Sequence, residues 1–240
     1  MKPRRMVQRL VCLATLAFAA ISGMPGMASA DSPVAGVGLD FYSRYIWRGS
    51  DIGDSPSIQP TLSFTGYGFQ LGAWGAYPTN SQSAVTNEID FWLSYDKTFD
   101  SGAAVELIVT DYYYPNAGVK FSNSDAHTLE TGVSVTGPGG FPLTVAAYVN
   151  VANDPGNNTY FECSYPATAG EVSLRFFVGA AGGSQENPGF YGTDTANVIN
   201  MGVTATRPIA ITDRFSLPVV GSLIYNPRVE VAYLVVGVSF

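Results

Sequence analysis

From Ile89 to Asp96 the chain alternates without a break: Ile89, Phe91, Leu93 and Tyr95 share one parity, and Asp90, Trp92, Ser94 and Asp96 the other. Successive side chains of a strand point to opposite faces, so this stretch separates greasy from polar only as a strand. The pattern recurs in 172–180, where Val172, Leu174, Phe176, Val178 and Ala180 oppose Ser173, Arg175 and Phe177. It recurs again in the closing VAYLVVGVSF, where Ala232, Leu234, Val236, Val238 and Phe240 fall on one parity. Read along the whole chain, it predicts twelve strands, at about 35–48, 57–66, 67–77, 87–99, 103–114, 125–136, 142–151, 158–166, 171–180, 197–206, 214–225 and 228–240. Each is near the nine to eleven residues with which a tilted strand crosses a bilayer, about ten on average.

The N-terminus says where such a chain goes. MKPRRMVQRL carries Lys2, Arg4, Arg5 and Arg9, an apolar stretch follows from Leu10, and Ala28, Ser29 and Ala30 precede Asp31. A positive start, a short apolar middle and an A-x-A site predict a secretory signal peptide over residues 1–30, leaving 31–240 as a single domain. The apolar run falls short of the roughly 20 residues a spanning helix needs. Removing the leader's four basic residues from the twelve in the chain leaves eight against nineteen acidic ones, a net charge of −11. That sign argues against nucleic acid as a partner. The one cysteine left, Cys163, has no internal partner and is expected as a small buried apolar residue. An exported chain of strands with charged residues at only 13% is either a secreted sandwich or a closed barrel whose greasy face meets lipid.

Alternation alone does not separate these two, because a sandwich packs the same apolar faces against each other. Connection lengths do. Residues 66–68, 100–102, 137–140, 166–170 and 207–213 are short and rich in turn formers, whereas 49–56, 78–86, 115–124, 152–157 and above all 181–196 include the longer connections. Short turns at one end and longer loops at the other is the arrangement of outer-membrane barrels. Asn226-Pro227 is the exception, short on the side where length is expected. Aromatics near the strand ends, Tyr45, Trp47, Tyr77, Tyr112 to Tyr114 and Tyr225 at one and Tyr95, Phe99, Phe141, Phe215 and Phe240 at the other, are expected as two interfacial girdles. The predicted fold class is therefore all-β, a transmembrane up-and-down antiparallel β-barrel of about twelve strands.

Several stretches carry a resemblance. SRYIWRGSDIGDSPSIQPTLSF, residues 43–64, has Ser43, Tyr45, Arg48 and Gly49 in an S-x-Y-x-x-R-G spacing and then a P-x-L strand; NEIDFWLSY supplies Glu88 and Asp90 as E-x-D; DYYYP supplies Tyr112, Tyr114 and Pro115 as Y-x-Y-P; and Glu130, Tyr160 and Glu162 follow as aromatic and acidic strand positions. In these features the chain resembles the TorF-like family of outer-membrane porins of Gram-negative bacteria, over most of its mature length, although the strand with Glu88 and Asp90 lacks that family's usual G-Y ending. The resemblance implies an outer-membrane barrel that passes small solutes, and a terminal aromatic, here Phe240, that is read by the barrel assembly machinery.

Parity then sorts the charges. With Leu39, Phe41, Tyr45 and Trp47 assigned to lipid, Asp40, Arg44 and Arg48 point inward, and by the same rule so do Asp90, Asp96, Glu106, Glu130, Glu162 and Arg175. An Arg or Lys on the lipid face at mid-depth costs roughly 2–4 kcal/mol, which is the reason for the assignment. These nine are the predicted pore lining: a narrow lumen with a net acidic wall, passing ions or small hydrophilic solutes and favouring cations. No insertion is long enough to be expected as a separate plug, and the 181–196 loop is expected outside, with an inward fold as the less common course.

Two other functions compete. A non-conducting structural or adhesive barrel would use the same charges as a closed, mutually paired set. A lipid hydrolase would need a nucleophile beside a histidine, and His127, of outward parity, is the one histidine present. No enzyme activity, cofactor or metal is expected, and the expected partners are membrane lipid and small solutes, with a monomer favoured.

Overall fold

The computed structural model describes residues 32–80 and 87–240; the predicted leader, and most of the 78–86 connection, lie outside the described residues. Twelve long strands close into one antiparallel barrel in which each strand's wall neighbours follow chain order. They are β1 (Val34–Tyr42), β4 (Ser57–Gly66), β5 (Phe69–Pro78), β6 (Glu88–Thr98), β7 (Ala104–Tyr113), β8 (His127–Thr136), β9 (Thr144–Ala152), β10 (Thr159–Ala169), β11 (Val172–Ala181), β12 (Asn197–Thr212), β13 (Phe215–Asn226) and β14 (Val231–Ser239). Two further strands, β2 (Ile46–Trp47) and β3 (Ser50–Asp51), form a separate small hairpin between β1 and β4. The predicted fold class stands. No helix among the described residues is long and apolar enough to cross a membrane, which says nothing of a barrel.

Faces follow parity as the pleat requires. Leu71, Leu93, Leu107, Val135, Phe161, Phe176, Leu223 and Leu234 all lie on the outside and are exposed, whereas Asp40, Gln59, Asp90, Ser94, Glu130 and Asn150 are buried inside. A water-soluble sandwich would invert this, with the apolar set within. Cross-strand register keeps the two sets apart for the length of the wall: Leu93 faces Leu71 on one side and Val109 on the other, while inward Asp96 faces Glu106. Cys163 falls on the outer parity between Phe161 and Tyr165 and is exposed, so the expectation of a buried position is corrected.

The wall departs from the expected strands most clearly at three places. β10 runs on to Ala169, so 166–169 is strand where a turn was expected. β12 runs on to Thr212, which pairs with Phe215 of β13, so 207–212 is strand as well and the turn tightens to Asp213 and Arg214. More consequentially, β1 ends at Tyr42 and not at 48. At Ser43 the chain leaves the wall. Its N–H still donates to the Val236 carbonyl at 2.8 Å, but the next ladder position is met by its side chain, whose Oγ accepts from the Val236 N–H at 3.0 Å. As a result the seam between the first and last strands is short: Asp40, Phe41 and Tyr42 pair with Ser239, Val238 and Gly237, and Leu39 and Phe240 exchange backbone bonds beyond them.

Candidate functional site

What leaves the wall at Ser43 goes inside. Tyr45, only 4% exposed, packs edge-on against Trp74 of β5 at 5.3 Å and belongs to an interior cluster with Trp92, Ile108, Tyr148, Tyr160, Tyr191 and Ile199. The lipid-facing assignment of Tyr45 and Trp47 is therefore corrected, and with it their place in an aromatic girdle; Tyr112 is interior as well. The physical reason is that β1's alternation continues unbroken through 43–48, and an aromatic in an aromatic core alternates just as one facing lipid does. No long insertion forms a plug, but a short hairpin lies inside the barrel.

The hairpin is a two-residue turn. Trp47 pairs with Ser50, and the intervening Arg48 and Gly49 both have positive φ, 47° and 81°, the signature of a type I′ turn whose twist matches its strands. Glycine is required at the second position by a close approach as well: a Cβ on Gly49 would lie 1.9 Å from the Ile199 carbonyl oxygen of β12. Asn226 of β13 donates from Nδ2 to the Gly49 carbonyl at 3.0 Å. The backbone of the tip thus docks on β13 and β12, two and three strands from β1 around the wall.

There Arg48 enters a cage. Its guanidinium meets Glu130 of β8 in a two-point pair, Nη1 to Oε2 at 2.5 Å and Nη2 to Oε1 at 2.9 Å. The guanidinium carbon lies 4.4 Å from the ring centre of Tyr160, 4.6 Å from Tyr148, 4.8 Å from Trp47 and 5.8 Å from Tyr191, all within reach of a cation–π attraction. Nη1 also donates to the Tyr191 hydroxyl. Tyr112 donates to Glu130 Oε1 at 2.9 Å, so the carboxylate is held from both sides. Tyr148 owes its place to a gap opposite it: Gly132 of β8 is its cross-strand partner, and a Cβ there would lie 2.3 Å from the ring.

Tyr191 comes from the 182–196 loop, which folds inward with Phe190; Trp47 lies parallel to the Tyr191 ring at 5.5 Å and edge-on to Phe190 at 5.9 Å. A second polar knot fixes that loop. Asp154, between β9 and β10, accepts from Asn150 Nδ2 at 2.8 Å, the Asn158 N–H at 2.7 Å, Asn158 Nδ2 at 2.9 Å and Asn187 Nδ2 at 2.8 Å. Burial works against its charge, but these donors outweigh it and hold the carboxyl below its ordinary range.

Of the nine residues expected to line a pore, eight face the interior. Arg48 and Glu130 meet in the cage; Glu162 pairs with Arg175, accepts from the Tyr160 hydroxyl at 2.7 Å and so adjoins the cage. Asp90 lies beside Trp74 and Tyr112 in register. Asp96 and Glu106 stand nearer the end with the tight turns, where Ser134 donates to Glu106 at 3.3 Å and Ser94 to Asp96 at 3.3 Å, and Asp40 lies in register with Gln59 and Ser239 beside the seam. Arg44 is elsewhere: it lies at the mouth, partly exposed, paired with Asp51 at 2.6 Å and with Asp54. Sequence reasoning missed Glu88, which accepts from Tyr114 at 3.0 Å, and Tyr148 and Tyr191, which carry no parity signal as site residues.

His127 is held near the start of β8. Its Nδ1 lies 2.9 Å from Asp111 and its Nε2 2.7 Å from the Phe121 carbonyl, so both ring nitrogens are engaged. Among the described residues no three His, Cys, Asp or Glu side chains cluster as metal ligands.

Residues 27–198 match a family described as bacterial protein of unknown function (Gcw_chp), a span that includes Arg48, Glu130, Tyr148, Tyr160 and Tyr191. The curated proteins offer no match.

Proposed function

The chain belongs to the Gcw_chp family of bacterial proteins of unknown function, and from that premise we propose that it is an outer-membrane channel for ions or small hydrophilic solutes, narrowed at one mouth by its own hairpin. One observation carries the reading: a closed wall whose outer face is exposed Leu, Val and Phe encloses an interior lined by Asp40, Asp90, Asp96, Glu106, Glu130 and Glu162. Strands satisfy their backbone groups within the wall, so such an exterior is stable against acyl chains, and the polar interior is where water and solute go. The excess of acid over Arg48 and Arg175 favours cations. The resemblance to TorF-like porins points the same way, as does Phe240, which packs edge-on against Phe41 at 6.0 Å at the seam and is the group we assign to recognition by the assembly machinery. We assign the chain to the outer membrane of a Gram-negative bacterium, delivered by the 1–30 leader and acting without enzyme chemistry.

A second reading is favoured by the cage itself: with Arg48 bound and Trp47 wedged in, the barrel is a structural element that conducts nothing. Planar-bilayer recording of refolded protein separates the two. Under the channel reading the unaltered protein gives small, cation-selective steps that grow several-fold in Arg48→Gly, whose glycine accepts the positive φ. Silence from both proteins would leave the structural barrel standing.

A further inference from the structure

We propose that the cage is a recognition site for solutes bearing a guanidinium group, and that Arg48 is its resident occupant, supplied by the chain itself. As a statement of what the channel selects, this rests on the reading above; as a statement about the site, it rests on geometry alone. The two-point pair with Glu130 fits a planar fork of N–H donors and not the point charge of an ammonium. The rings of Tyr148 and Tyr160 lie against the guanidinium at 4.6 and 4.4 Å, and Tyr191 adds a hydroxyl acceptor. Together these read shape and charge at once.

The cage and its occupant belong to different parts of the molecule. Tyr112, Glu130, Tyr148 and Tyr160 stand on β7 to β10, each locked in the wall ladder, and Tyr191 is on a loop tied to Asp154 through Asn187. When the hairpin is withdrawn, Trp47 leaves with Arg48 and the rest stays. The occupant rides on two strands of two residues each, and it sits at a positive φ that a non-glycine residue adopts at a cost. A free guanidinium in the lumen therefore meets an assembled site whose present tenant is held by a small element. Binding the solute and releasing the hairpin are one exchange: the solute takes Glu130 and the rings, and the mouth is cleared.

Refolded Arg48→Gly in detergent tests the site directly. Calorimetry with methylguanidinium is expected to show saturable binding at least tenfold tighter than methylammonium at equal ionic strength, lost in the Arg48→Gly/Glu130→Gln double variant. Equal affinities for the two cations, or binding that survives without Glu130, would overturn the proposal and leave Arg48 a structural anchor. Should Arg48→Gly fail to fold, the unaltered protein serves: millimolar agmatine is expected to speed amide exchange across Ile46–Asp51 several-fold over cadaverine, and equal rates with both would overturn the exchange. Neither measurement needs conduction. Binding without current would sink the channel and keep the site, whereas current without guanidinium preference would do the reverse.

Discussion

β7 and β8 are joined residue by residue from Ala104 and Thr136 to Tyr113 and His127, whereas the hairpin inside the barrel has two paired positions, Ile46 with Asp51 and Trp47 with Ser50. The wall is held by a backbone ladder that any side chain of the right face can occupy. The hairpin is held by a few side chains: the Arg48 guanidinium, the rings of Tyr45 and Trp47, buried Ile46, the Asn226 amide on its tip, and a glycine that lets two backbones touch. A region fixed by its backbone tolerates substitution within a face; one fixed by side chains depends on each of them.

That contrast can be broken at several points. The largest effect is expected at Glu130→Ala, which leaves Arg48 buried without its partner; breaking a buried pair from one side costs about 3–5 kcal/mol. The hairpin is expected to come out of the barrel, with fast exchange at Ile46–Asp51, while heat-modifiable gel mobility shows the wall still folded. Collapse of both together would mean that wall and hairpin are one unit. Next comes Leu107→Arg, on the exposed outer face, expected to cost about 2–4 kcal/mol in bilayers and far less in detergent-free soluble form if lipid were not the medium; urea unfolding from vesicles measures it. Gly49→Ala should destabilise the hairpin by about 1–3 kcal/mol, since its Cβ meets the Ile199 carbonyl, read as faster exchange at the same amides.

Acid offers a gentler probe. Because the Asp154 carboxyl is held below its ordinary range in the folded protein, its contribution is complete above the ordinary carboxylate range and is lost as pH falls through the lowered value. The 182–196 loop is expected to loosen on acidification, followed by proteolysis within it, and Asp154→Asn should remove the acid dependence. Smallest is Ser43→Ala, which removes one hydrogen bond to Val236, worth about 1 kcal/mol, and should appear only as a slightly lower melting temperature.

The wall was legible because period-two alternation is local and repeats strand after strand; β4 is found at the predicted 57–66, and β6, β7 and β11 lie within about two residues of expectation. The inward charges followed from the same rule, so Asp40, Asp90, Glu130 and Glu162 stand where parity put them. The cage did not follow. Parity says in or out but not which inward groups meet, and Arg48 and Glu130 are 82 residues apart in the chain. Nor does it say where a strand leaves its sheet. Tyr45 and Trp47 read as lipid-facing because Arg44 and Arg48 alternate with them in step, while the chain leaves the wall at Ser43, before any turn former. The motif positions Arg48, Glu130 and Tyr160, far apart in the chain, meet in the cage.

The short seam has a consequence for the wall around it. Because the chain turns inward at Ser43, β14 pairs over residues 231–235 with β13 alone and has no strand on its β1 side there, and a cleft of about 420 Å³ lined by Arg44, Asp51, Asp54, Val231, Ala232, Tyr233 and Leu234 opens along it. Of all the zippers around the circumference this one has the fewest teeth. By that measure the wall's most sparsely bonded line runs lengthwise between its first and last strands.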